Sequence, residues 1–475
     1  MGKVLVEKLL RRCPSVNRLF VVIRTKRGVD ANQRINELRN EGLFEPLLKM
    51  NPNAFDKLIV IPGDMSQKRC GISEEDRQVL IENTSVIFHT AASVRFDDSL
   101  SSALKLNTRG TVELLEMAKE MKKLEVFEYV STTYCNVGIN TTIEERVYPS
   151  HLDWKILLKA LDLDEYSLDL LVYKLQWTQP NTYTLSKSLT ENAVLEASQH
   201  IPACIIRPSV VISVSEEPVP GWTDNLNGVL GVTTGVSKGV LRTFKCSPYA
   251  ALDYIPVDSA INGMLAGAWY KRFHDTGHLE VFNEAYGDTL SVTYDDIVNN
   301  GVIINHTTPM ENYCWYPFII LTNNTYYFHF LFYFLQLLPA LIQDFGLMCA
   351  RQKRFILRLN IKIYNAAIAL SDFTGIPFTF ANDNFYGIDK MMTPEDKKNF
   401  PISVSRTKSE DIRGYMKAAQ EGIKKFIFHE KEENLEQNVK IHWRLYYIDR
   451  ATRVLLLGAA AWQVFRLASL VAFWI

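Results

Sequence analysis

Apolar and polar positions along this chain alternate between two rhythms. Residues 18–24, 58–64, 85–92, 125–132 and 203–209 are short apolar runs rich in Val, Ile and Phe, the pattern of strands. Between them apolar residues recur at helical spacing: Val4, Leu5, Leu9 and Leu10 mark one stripe, and residues 99–122 read as a longer helix. Apolar strands alternating with helices predict an α/β fold, a doubly wound parallel sheet covered on both faces. Such sheets bind ligands at the carboxyl ends of their strands. Arg24, Asp64, residues 90–92 and residues 131–133 stand at those ends.

The pattern changes further along. Residues 214–258 become Gly- and Pro-rich and are expected to cover a substrate. The expected domains are 1–300, holding the sheet and that segment; 301–350, an aromatic connector that touches a membrane; 351–440, a helical unit; and 454–475, an apolar membrane anchor.

Composition narrows the picture only slightly. A chain of 475 residues exceeds what one core usually needs. A net charge of -1 gives no reason to expect a nucleic-acid partner. Seven scattered cysteines, with no Cys-x-x-Cys, imply neither a disulfide framework nor a zinc site, and no metal is expected. No secretory leader is read at the start, so a reducing compartment is expected.

The sharpest local signal is Tyr183-Thr184-Leu185-Ser186-Lys187, preceded by Pro180-Asn181-Thr182 as a helix start. Tyr and Lys four residues apart share a helix face. An ammonium beside a phenol is expected to lower the tyrosine pKa toward working pH. Such a tyrosine can give a proton to a carbonyl oxygen as hydride arrives. The spacing alone also occurs by chance. A hydroxyl from Ser131-Thr132-Thr133, at the end of the strand before it, strengthens the reading.

Several segments together carry a resemblance. They are Gly2 to Arg11, Gly63-Asp64, His89-Thr90-Ala91-Ala92-Ser93-Val94-Arg95-Phe96, Asn107-Thr108-Arg109-Gly110-Thr111 and Val130 to Asn136. Tyr183-x-x-x-Lys187, Arg207-Pro208-Ser209, Pro220-Gly221-Trp222-Thr223-Asp224-Asn225, Lys238-Gly239 and Ile255-Pro256-Val257-Asp258 complete the set. The chain resembles the fatty acyl-CoA reductases, close to the insect members, within the extended short-chain dehydrogenases. Residues near 355–430 resemble that family's C-terminal sterile domain.

The resemblance implies a Rossmann-like sheet and NADPH-dependent reduction of long-chain fatty acyl-CoA to a primary alcohol through an aldehyde, with release of CoA. Tyr183 becomes the acid, and Lys187 its partner and a holder of the nicotinamide ribose. Thr132 is the first choice for the assisting hydroxyl; Thr133 is the alternative if the register follows sugar epimerases. Asn107 would order a proton-relay water. Gly2, Asp64, Ala91 and Ala92 would line the cofactor. Arg24, with Lys26 and Arg27, would meet a 2′-phosphate, favouring NADPH over NADH; a solvated strand-end charge is the plainer reading of Arg24. Cys135 is not expected to act as a nucleophile, and His89 is expected to be a packed residue.

The family also begins with a strand and a turn of the form Thr-Gly-x-Thr-Gly-Phe-x-Gly, of which Gly2 matches only the last glycine. The expectation is a chain truncated at its N-terminus, lacking the first, central strand and binding NADPH weakly as written.

Residues 454–475 form an apolar run long enough to cross a bilayer, interrupted by Gln463 and Arg466. Arg444, Arg450 and Arg453 precede it and would keep the catalytic part in the cytosol. Residues 326–342 are a second apolar run, expected to be buried or interfacial. The resemblance places the protein on a peroxisomal or endoplasmic reticulum membrane, in contact with membrane lipid, and leaves its oligomeric state open. The alternatives are an inactive or fragmentary lipid-binding paralogue and another extended short-chain dehydrogenase.

Overall fold

The computed structural model describes residues 1–26, 28–139, 141–176, 179–274, 277–286, 292–402 and 409–474. The chain forms two compact units that interleave along the sequence. The first comprises Met1–Thr223, Ala250–Thr293 and Ile368–Ser409; the second comprises Asp224–Tyr249, Tyr294–Ala367 and Glu410–Ile475.

The first unit holds the sheet. Its main strands are β1 (Leu19–Ile23), β2 (Leu58–Pro62), β3 (Val86–His89), β4 (Val126–Val130), β5 (Ala203–Pro208) and β6 (Glu280–Glu284). All pairings among them are parallel. They form a pair, β1-β2, and a four-stranded sheet in the order β6-β5-β4-β3. β4 and β5 are buried at every residue, which is why they read as mostly apolar runs, broken by Glu128 and Arg207. Among the described residues, β1 and β3 each hydrogen-bond on one side only. Val22 and Val86 on these edges are exposed. The strand that the resemblance places between β3 and β1 has no counterpart among the described residues.

Helices cover both faces. They include α1 (Gly2–Arg12), α2 (Gly110–Glu120), α3 (Thr182–Ala197) and α4 (Val257–Phe273). On one face Phe127, Tyr129, Ala203 and Ile205 pack against Leu115, Ala118, Val194 and Ala197 from α2 and α3. The expected helix over 99–122 is present with a defect: Leu100–Ala103 is α-helical, Leu104–Arg109 is a π-turn, and α2 follows. Insertions of this kind concentrate at functional sites.

The opposite face is held by α4, whose glycines let it approach closely. A Cβ on Gly267 would lie 2.7 Å from Ile206 Cδ1, and one on Gly263 would lie 2.0 Å from Glu284 Oε1. Glu128 and Glu284 are fully buried there. Burial holds both carboxyls well above the usual carboxylate range. Gly263→Ala is expected to cost about 1–3 kcal/mol through overpacking. Urea unfolding should show a lower midpoint with an unchanged slope; an unchanged midpoint would show that α4 moves aside freely.

The second unit contains α5 (Thr325–Cys349), α6 in its first turns (α6 is Ile356–Thr374) and α7 (Leu435–Trp474). Phe328 and Phe332 of α5 pack on Tyr364, with ring centroids 6.2 and 4.8 Å apart. Among the described residues α5 is the one helix long and apolar enough, by length and composition, to cross a membrane. The expected apolar tail lies in α7, where Val454, Leu456, Trp462 and Phe465 are exposed.

Candidate active site

Helix α3 starts where the sequence predicts. The Asn181 side chain accepts a hydrogen bond from the Thr184 amide at 2.9 Å, satisfying a first-turn donor. Tyr183 and Lys187 then project from one face of α3 toward the end of β4. The Thr132 side chain lies near enough to the Tyr183 hydroxyl to lower its pKa, and its Oγ1 accepts from the Tyr134 amide at 3.3 Å. Thr133 opens the short turn Thr133–Asn136, and its buried Oγ1 finds no hydrogen-bond partner among the described residues.

Lys187 Nζ donates to the Val130 carbonyl at 2.6 Å and lies 4.7 Å from the centre of the Tyr129 ring. Burial lowers its pKa to about 8, against the raising influence of Cys135 and Glu191. The expected effect on Tyr183 is reversed. Burial, then Cys135, raises the Tyr183 pKa above its ordinary value, against the lowering influence of the nearby Thr132 side chain. The ammonium is committed to the Val130 carbonyl, so desolvation of the phenolate wins. Tyr183 is therefore a neutral phenol at pH 7, with its proton available.

Asn107 lies in the π-turn and is 1% exposed. Its Oδ1 accepts from the Ser93 amide at 2.8 Å, while Nδ2 donates to the Ser93 carbonyl and to Ser186 Oγ at 3.1 and 2.9 Å. Both ends of the side chain are thus engaged in protein contacts, and Asn107 ties the loop after β3 to α3. Ser186 was not singled out in the sequence, because a serine between Tyr183 and Lys187 carries no signal of its own.

A second feature missed in the sequence is a buried ion pair below the tyrosine. Arg207 Nε and Nη2 donate to the two Glu191 carboxylate oxygens at 2.7 and 2.6 Å. Arg207 also donates to the carbonyls of Glu144 and Arg146. Glu191 lies eight residues after Tyr183 on α3, so this pair anchors the helix that carries the site. Burial, then Glu191, pushes the Cys135 thiol well above its usual range. Cys135 stays protonated and is a poor nucleophile. His89 bonds Thr111 Oγ1 at 2.8 Å. Burial, then the Lys187 charge, lowers its pKa to about 3, so it is neutral.

Aromatic rings surround the tyrosine. Phe96 lies 5.7 Å from Tyr183, Phe373 lies 5.3 Å from Phe96, and Tyr134 lies 5.7 Å from Phe373, between ring centroids. Phe373 comes from a segment far beyond the sheet's last helix in sequence, yet it belongs to the same compact unit.

The expected cofactor-binding residues occupy the strand ends. Gly2 begins α1, whose N-cap Met1 makes no side-chain cap; a Cβ on Gly2 would lie 3.5 Å from Thr90 Oγ1, at the end of β3. Asp64 follows β2, and its Oδ1 accepts from the Ser66 amide and hydroxyl. Arg24, after β1, and Ala91 are exposed, and Ala92 is half-buried. Arg27 lies outside the described residues.

A family model described as male sterility protein, NAD-binding, matches residues 1–264, and a second, the sterile region of male sterility proteins, matches residues 335–430. Fatty acyl-CoA reductase 1 of Rattus norvegicus is 35% identical over 442 residues, covering 92% of this chain and 84% of that protein. The chain belongs to the fatty acyl-CoA reductase family. Fatty acyl-CoA reductase wat of Drosophila melanogaster is 31% identical over 470 residues, covering 99% of this chain and 90% of that protein. Like its family, this fatty acyl-CoA reductase is an oxidoreductase with a nicotinamide-cofactor domain. The reductase fold recurs in solved structures. The terminal reductase domain of the myxalamid biosynthetic pathway has a TM-score of 0.58 at 17% identity, covering 90% of each chain. The reductase domain of a nonribosomal peptide synthetase from Mycobacterium tuberculosis has a TM-score of 0.56 at 17% identity, covering 88% of each chain.

Proposed function

We propose that this reductase converts long-chain fatty acyl-CoA to the primary alcohol, with NADPH as reductant and release of CoA. The observation that carries the reading is the placement of Tyr183 and buried Lys187 on one helix at the end of β4, where Lys187 donates to the Val130 carbonyl and Thr132 lies near the phenol. A nicotinamide cofactor suits the strand ends: α1 begins without a side-chain cap, and the buried Thr133 hydroxyl is unpaired. Gly2 would meet the phosphates, Asp64 the adenine, Ala91 and Ala92 the cofactor's length, and Lys187 the ribose. Arg24 and Arg27 would meet a 2′-phosphate.

When bound, the cofactor supplies one hydride to the thioester carbon and, from a second equivalent, one to the aldehyde carbon. The first addition makes a tetrahedral oxyanion, whose collapse breaks the C–S bond and expels CoA as thiolate. Thr132 holds the carbonyl oxygen against Tyr183. In the second reduction the phenol gives its proton to the alkoxide oxygen, and Lys187 supports the charge left on the tyrosine. No cysteine is needed, which fits the protonated state of Cys135. The acyl chain and the alcohol both partition into lipid. A membrane-associated enzyme of the peroxisome or endoplasmic reticulum, its catalytic part in the cytosol, suits that chemistry.

The test is cofactor oxidation by the purified full chain with long-chain acyl-CoA, following thiol release and products. Two NADPH consumed per thiol released, with alcohol as product, is the expected result. Aldehyde as the final product would overturn the second reduction, and equal use of NADH would remove the role given to Arg24. The pH profile adds a check. Lys187 is charged below about pH 8 and neutral above it. The kcat/KM is therefore expected to fall as pH rises through that value, and Lys187→Arg should move the fall upward. A profile flat across that region would remove Lys187 from the reaction.

A further inference from the structure

The two sides of α5 have different surroundings. One side faces the body of the second unit and carries polar anchors as well as Phe328 and Phe332. Gln336 Oε1 accepts from the amides of Arg242 and Thr243 at 3.0 and 2.9 Å. The buried Asp344 carboxylate accepts from the amides of Phe355, Ile356 and Leu357 at 3.2, 3.0 and 3.1 Å, capping α6. The other side repeats apolar residues at steps of three or four: Phe330, Phe334, Leu338, Leu341, Phe345 and Met348. These six are between 46% and 62% exposed. No charged residue of α5 is exposed; His329 is half-buried and meets Tyr364.

α5 has 25 residues. Its length and composition would allow it to cross a bilayer, but its inner side would not. Crossing would tear Gln336 and Asp344 from their partners and place a carboxylate in hydrocarbon. A helix anchored on one side and apolar on the other lies in the membrane plane instead.

The following segment indicates which surface it meets. From Asp344 to Asp372 the chain has no other acid and carries Arg351, Lys353, Arg354, Arg358 and Lys362. All five cations are exposed, and among the described residues none forms an ion pair. Arg354 Nη1 lies 3.9 Å from Met348 Sδ, so the cationic run adjoins the end of the apolar face. Exposed Phe355 immediately precedes α6, and on α6 exposed Leu359 lies beside Arg358 and Lys362. Apolar groups interleaved with cations match acyl chains beneath anionic headgroups. A neutral apolar partner would cover the rings and leave five cations unmatched.

We propose that α5 and the first turns of α6 form an in-plane seat for an anionic membrane surface. Phe330 to Met348 enter the acyl layer, and the cations of residues 351–362 sit among the headgroups. The inference stands apart from the reduction chemistry. It is tested on the full chain carrying Phe334→Trp, by fluorescence quenching with vesicles of brominated phosphatidylcholine, with and without phosphatidylserine. The introduced indole should be quenched relative to the unsubstituted chain, more strongly with phosphatidylserine. Adding Arg351→Glu and Arg354→Glu should weaken binding to phosphatidylserine vesicles by about tenfold or more, with little change on neutral vesicles. An unquenched indole would overturn the proposal, including the case in which α7 alone meets the bilayer. So would a lipid-free dimer that Phe330→Asp dissociates, because a second copy would then cover the face. Charge reversal without effect would overturn the anionic preference.

Discussion

Tyr183→Phe is expected to reduce acyl-CoA turnover by about 10²–10⁴-fold, the usual contribution of a positioned general acid. The phenol is half-buried, and burial raises its pKa. It therefore holds its proton at neutral pH and can release it only to a strongly basic oxygen, such as the alkoxide formed by hydride addition. Removing the hydroxyl removes the donor and leaves the ring packed on Phe96. Single-turnover cofactor oxidation, with a thermal melt of the same sample, checks this. A near-native rate in a folded variant would exclude Tyr183 as the acid. Thr132→Val should show a smaller loss, because it removes orientation and leaves the proton in place.

The second large effect concerns stability. Glu191→Gln is expected to destabilise the first unit by about 3–5 kcal/mol, since it leaves the Arg207 guanidinium buried without its counter-charge. Both side chains are almost fully buried. Burial works against the charge on Arg207, and Glu191 more than offsets it, raising the pKa above its ordinary value. The double variant Glu191→Met/Arg207→Leu should lose less than either single change, because it removes both charges together. Urea unfolding of Glu191→Met, Arg207→Leu and the double variant tests this cycle. Additive losses would show that the two residues act independently. The pair sits on α3 and β5 beneath the tyrosine, so the single variants should also lose activity before they unfold.

Much of the first unit was legible because its strands are buried on both faces. Such strands need apolar residues at nearly every position, and β4 and β5 show that pattern. β6 escaped because only Val281 and Phe282 interrupt its polar residues; Asn283 and Glu284 find buried places that no pattern announces. The Tyr183/Lys187 pair was visible because helical spacing alone puts both side chains on one face. The direction of the Tyr183 shift was not, since it depends on where the Lys187 ammonium points and on how much water is lost. Asn107 was found by its motif, but its side chain's partners, Ser93 and Ser186, come from other elements. Glu191 and Arg207 look like ordinary surface charges until α3 and β5 are brought together.

The sequence by itself determined the alternation of strands and helices, the start of α3 at Asn181 and the pairing of Tyr183 with Lys187. Each depends on interactions within a few residues or on a repeating period. Only the tertiary structure decided that Lys187 bonds the Val130 carbonyl, that Phe373 joins the first unit, and that one side of α5 is anchored while the other is exposed. Those outcomes depend on contacts between residues far apart in the chain, whose burial sets the cost of charge and of unpaired polar groups.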